Sequence, residues 1–247
     1  MPLTPPHMAV TQRAVPSWPK RLWGLIADMV VARGHKQDGP RLLVLACGAL
    51  AKEIVALRKQ LGERAANMEL QCLPADFHNR PHKIAPAIDL ILTERRVDFD
   101  HVLVGYGECG TGGELDKVLA KHHAERLPFA HCYEFFAGSP LFNQITEEEI
   151  GSFYLTDYLV RHFDRLVMGG LGLDRHPELR DLYFANYRRV VYLAQTRDIG
   201  LEAQAATAAD KLGLAFDYRY VGYGELKSAI AAAAAEIDHE ERYYVRN

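Results

Sequence analysis

The chain has 247 residues, 49% of them apolar, enough for one large α/β domain or two small ones. A formal charge of -3 without any Lys/Arg run argues against a nucleic-acid surface. No apolar run reaches transmembrane length, and the Pro-rich start "MPLTPPHMAVTQRAVPSWPK" lacks a secretory core, so a cytoplasmic protein is expected. Four cysteines, at 47, 72, 109 and 132, then read as free thiols, metal ligands or a nucleophile, not disulfides.

In chain order, residues 1–20 form a loose segment, and apolar spacing in "RLWGLIADMVVARGH" predicts a helix over 21–35. "RLLVLACGA" (41–49) reads as a buried strand, and residues 50–62 as a helix closed by Gly62. A second strand, 68–74, ends at Pro74, and "RPHKIAPAIDLILTERR" follows as a helix with a proline start. A third strand, 101–107, leads into a helix over "GELDKVLAKHHAERL", and "PFAHCYEF" (128–135) reads as a fourth strand. From Thr146, paired with Glu149 in a capping-box pattern, the chain reads as mostly helical up to a strand at 189–196. A helix, a strand over "AFDYRYVGYG" and a last helix complete it. The alternation predicts an α/β fold, a mainly parallel sheet or sheets with helices on both faces. "VGYGE" occurs at 104–108 and at 221–225, each after a predicted strand and before a helix, which is the pattern of two pseudo-repeated Rossmann-like halves. The division is then 21–145, carrying the Cys- and Gly-rich loops, and 146–247, a helical segment plus the second half; the two can form one domain.

Ligands of open parallel sheets bind beyond the carboxyl ends of the strands. Cys47, Cys109 and Cys132 fall at the predicted ends of three strands, whereas Cys72 sits mid-strand among leucines and reads as core. Thiolates of Cys47, Cys109 and Cys132, with His131 or His78 as a fourth ligand, suit zinc or a 4Fe–4S cluster with one open position. Glu108 and Glu134 are the acids nearest the proposed centre and the candidate catalytic groups. His78, Asn79, Arg80 and Tyr133 are candidates for holding a small-molecule substrate.

The loop supports other readings. Gly105, Gly107 and Gly110 match G-x-G-x-x-G and, with Gly112, form a candidate phosphate cradle for NAD or another nucleotide, Glu134 taking the ribose. Cys109 is also a candidate nucleophile, although Glu108 beside it opposes a thiolate. Plain turn glycines and apolar cysteines are the remaining alternative.

The segments "LACGAL", "HNRPHKI", "GYGECGTGGELD", "HCYEFFAG", "SFYLTDYLVRHFD" and "LGLDRHPELRDLYFANYRRVVYLAQ" resemble a family of bacterial and archaeal proteins with a domain of unknown function. The resemblance spans roughly residues 40–230. It implies genes near corrinoid proteins and methyltransferases, hence a metal-binding transferase of one-carbon groups, or a non-catalytic accessory factor for a corrinoid or metal enzyme. A corrinoid protein or methyltransferase is the implied partner, and a homo-oligomer is compatible with it. The chain has no D-x-H-x-x-G motif, so it is not expected to carry the corrinoid itself.

Overall fold

A computed structural model describes residues 30–32 and 39–245. It is an α/β structure with two sheets. The first has the order β1(Val30–Ala32)–β3(Met68–Leu73)–β2(Leu42–Cys47)–β4(His101–Gly105)–β5(Glu125–Arg126). The second has the order β6(Ser152–Thr156)–β7(Arg189–Ala194)–β8(Ala215–Tyr220). All pairings are parallel except β1 with β3.

Strand β2 explains the first core. Leu42 to Ala46 are fully buried, a continuous apolar run that only a central strand covered on both faces can use. The period of two divides them. Leu42, Val44 and Ala46 pack under α1(Ala51–Leu61) and α9(Gly224–Val245) through Ile54, Leu226 and Ile230. Leu43 and Leu45 pack under α2(Ile84–Arg95) and α3(Glu114–His122) through Ile88 and Leu115. In the second sheet Val190 and Tyr192 meet α6(Asp157–Arg161) and α8(Ile199–Leu212), whereas Val191 and Leu193 meet Ile145 on α5(Ser139–Glu148).

Several expectations shift. The expected helix over 21–35 lies outside the described residues except for Val30–Ala32, which is a strand with Val30 opposite Cys72. Pairing at the open edge of β3 and two adjacent valines outweigh the helical spacing there. Helix α3 ends at His122, β5 takes Glu125–Arg126 from the stretch expected as helix, and no strand forms over 128–135. Residues 132–137 form α4(Cys132–Ala137). Thr146 caps nothing: it lies inside α5 and its hydroxyl donates to the Phe142 carbonyl at 2.9 Å. Strand β6 occupies "SFYLT", where helix was expected. The 145/146 boundary also falls inside α5, and α9 returns to close the first core, so the later part of the chain completes the earlier one. The short helix α7(Leu179–Tyr183) precedes β7. No described helix is long and apolar enough to cross a membrane.

Candidate functional site

In the first sheet the chain runs from β2 to β3 on one side, then crosses to β4 on the other. The gap beyond the carboxyl ends of β2 and β4 is the topological switch point, the position at which such sheets bind ligands. Cys47 ends β2, and the loop carrying Cys109 follows β4. Beyond β4 the loop keeps pairing with the chain after β5. The Glu108 amide donates to the Phe129 carbonyl and the Cys109 amide to the Ala130 carbonyl, both at 2.9 Å. Gly107 permits this approach, since a Cβ there would lie 2.6 Å from the Phe129 oxygen. Two residues past Ala130 comes Cys132. It stands at the first turn of a helix, not at a strand end as expected, yet it reaches the same place.

Cys47, Cys109 and Cys132 are free, half-buried thiols, and Cys72 is core. Burial pushes the Cys47 thiol up to about 11, and the charge of Cys109 would add to this. Burial also raises Cys109 and holds Cys132 well above the ordinary thiol range, Cys132 being opposed further by Cys109 and Cys47. The three sulfurs therefore sense one another, and metal-free they are thiols at neutral pH. Arg126, whose charge acts on Cys109, already grips Asp116 with two bonds of 2.6 and 3.1 Å. Among the described residues, no group of three or more His, Cys, Asp or Glu side chains is arranged to hold a metal ion. Cys109 has φ of 50°, in the left-handed region that side chains other than glycine seldom adopt.

Tyr106 was not expected here. Its hydroxyl is buried against the Cys47 thiol, and burial and that thiol hold it well above the ordinary phenol range. In the sequence it stands between Gly105 and Gly107, where it passes for part of a turn.

The candidate acids have structural partners. Glu108 accepts from the Gly110 amide at 2.8 Å, the Thr111 hydroxyl at 2.9 Å and the Gly113 amide at 3.2 Å. Desolvation opposes its charge, but these donors win and hold the carboxyl below its ordinary value. Two amides that a phosphate cradle would offer at Gly110 and Gly113 are thus already engaged. Gly105 lies within β4, pressed against Ala46, and Gly112 has φ of 64° with open space around it. Glu134 accepts from Ser139 Oγ at 2.6 Å and from the Ala130 amide at 3.3 Å, which ties α4 to the Cys109 loop and α5.

The candidate substrate groups have partners of their own. His78 is exposed and lies edge-on to Tyr133, with ring centroids 6.3 Å apart. Crowding and then His131 lower its pKa, so it is neutral at pH 7. His131 is exposed at the N-cap of α4. Tyr133 stacks on Tyr154 of β6 at 5.3 Å, and Asn79 Nδ2 donates to the Leu166 carbonyl at 3.2 Å, so both residues join the halves. Arg80 is exposed and pairs with Asp76 at 3.6 Å. The two VGYGE copies differ: Gly105 belongs to a strand, whereas Gly222 and Gly224 have φ of 62° and 43°, Gly222 in a turn and Gly224 at the start of α9.

Residues 72–230, more than half of the chain, match the model of a family described as a protein of unknown function, DUF1638. The chain belongs to the DUF1638 family. The matched segment includes Cys109 and Cys132 and begins after Cys47. No curated protein and no solved structure is detectably similar to the chain.

Proposed function

We propose that the chain binds a thiophilic metal ion, zinc in the first instance, at Cys47, Cys109 and Cys132, and acts on a small substrate in one-carbon group transfer. The observation that carries this reading is the set of three half-buried sulfurs from separate elements at the switch point of the first sheet. Burial disfavours a thiolate there, which weakens the nucleophile alternative. A divalent cation reverses that balance, because a coordinating thiol is deprotonated outright. The donor set suits zinc by its chemistry, but the ligands are not preassembled. Binding therefore requires the Cys109 loop to close on Cys47 and Cys132, with His131 as the fourth ligand. When bound, the metal supplies Lewis-acid activation of a small thiol or hydroxyl. The protein's own part is to enclose the substrate between His78, Tyr133 and the loop, and to present the Tyr106 hydroxyl from the buried side. The one-carbon assignment draws on what the family resemblance implies, genes near corrinoid proteins and methyltransferases.

Metal analysis and a visible spectrum of anaerobically purified protein test this proposal. One equivalent of metal in the wild type, lost in Cys109→Ser, is expected; iron with a charge-transfer band would assign a cluster in place of zinc. Metal-free protein that also fails to take up zinc in vitro would refute it.

A further inference from the structure

The carboxyl ends of the second sheet carry a group of charged residues apart from the thiols. Asp157 follows β6 directly and is fully buried. Its Oδ1 accepts from Tyr192 Oη at 2.7 Å and the Gln195 amide at 2.9 Å, and its Oδ2 from Thr196 Oγ1 at 2.5 Å. Those three donors leave Arg161 only a loose contact, 3.8 Å from Oδ2. The turn Gly48–Leu50, just past Cys47, packs against α6, so the start of α1 faces this group. There Lys52 is exposed and Glu53 is only 5% exposed. Glu53 Oε2 is enclosed and has no hydrogen-bond partner. Arg165 Nη2 donates to Tyr158 Oη at 3.3 Å, and the Tyr158 ring lies 4.5 Å from that of His162.

We propose that this junction is a binding site for a small oxyanion, a carboxylate or phosphate, in which Lys52, Arg161 and Arg165 supply positive charge and Glu53 donates a hydrogen bond through its unpartnered Oε2. Burying an unsatisfied polar atom is costly, and a ligand oxygen would satisfy this one. Glu53 can donate only when protonated. Burial, followed by the charge of Asp157, favours that form, while its own amide, Arg161 and Lys52 oppose it. His162, crowded and beside Arg165, Lys52 and Arg161, is held neutral and adds no charge. Of the carboxylates that face the site, Asp157 spends its oxygens on three neutral donors and keeps only the loose contact with Arg161, and Asp76 on the thiol side pairs with Arg80. The oxyanion site does not depend on metal binding.

The test is thermal unfolding of the full chain, with chelator present, in sodium phosphate or sodium acetate against sodium chloride at equal ionic strength. Saturable stabilisation by at least one oxyanion is expected, and the two salts separate a phosphate from a carboxylate ligand. Lys52→Glu, at an exposed position, should weaken that response at least ~10-fold relative to its own unfolding in chloride. Glu53→Gln, which keeps a donor, should retain the response, and Glu53→Leu should lose it. Stabilisation no greater than in chloride, or equal stabilisation of the Lys52→Glu protein, would overturn the proposal.

Discussion

Tyr192 Oη donates to Asp157 Oδ1 at 2.7 Å, and both side chains are fully buried. The bond ties the centre of β7 to the residue that follows β6, and it aligns the carboxyl ends of the second sheet. Tyr192→Phe removes one of three strong donors from a buried carboxylate and should cost ~1–3 kcal/mol in urea denaturation. Asp157→Ala strands all of those donors together with Arg161 and should cost more, ~3–5 kcal/mol. A Tyr192→Phe protein as stable as the wild type would mean that the carboxylate recruits another donor.

Cys72 gives a stability effect with a definite sign. Burial pushes its thiol from 9.0 up to about 12, with Cys47 adding to the shift. A group whose pKa is raised on folding binds its proton more tightly in the folded state. Its contribution is complete below pH 9 and is lost as the pH rises from about 9 toward 12. Other groups titrate in this range, so the informative quantity is a difference. The wild type should lose stability relative to Cys72→Ala by an amount on the order of 2–4 kcal/mol between pH 8.5 and pH 11.5. A constant difference across that range would contradict the burial of the thiol.

What was readable in the sequence follows from how local each signal is. The run Leu42–Ala46 and the leucines of β3 demand a strand covered on both faces, and nothing distant alters that. Strand β6 was hidden because Tyr158, Leu159 and Val160 extend its apolar pattern directly into α6 without a break. Cys132 was placed on a strand, although the backbone that pairs with the Cys109 loop is the stretch just before it, at Phe129 and Ala130. Cys47 and Cys109 at one sheet edge could be anticipated, since strand ends carry them. The Glu53–Asp157 junction could not, because it needs the turn that leads into α1 packed against α6, more than a hundred residues further on. Glu53 in isolation is an ordinary helix carboxylate.

Gly224 supports the thiol centre from a distance. A Cβ there would overlap the carbonyl oxygen of Phe136 and approach that of Phe135 at 2.6 Å, both on the helix that begins with Cys132. Gly224→Ala should cost at least ~2 kcal/mol, beyond the ~1–2 kcal/mol of a left-handed residue, because backbone must move. Gly222 also has positive φ, but its nearest neighbour would be Tyr220 Oη at 3.7 Å. Gly222→Ala should therefore cost only the conformational part, about 1 kcal/mol. Equal losses for the two variants would show that the contact with α4 is not limiting.

Zinc uptake should depend steeply on pH. Burial raises the thiols of Cys47, Cys109 and Cys132, with Cys47 at about 11, so each arrives protonated at neutral pH. Three thiolate bonds then release three protons, and the apparent affinity should rise by up to ~3 decades per pH unit. Competition against a chelator of known proton affinity between pH 6.5 and 8.5 measures this slope. In Cys109→Ser one thiol is missing, and the slope of any residual binding should fall to about 2. An affinity that does not vary with pH would mean that zinc is held by groups already deprotonated, which removes these cysteines from the ligand set.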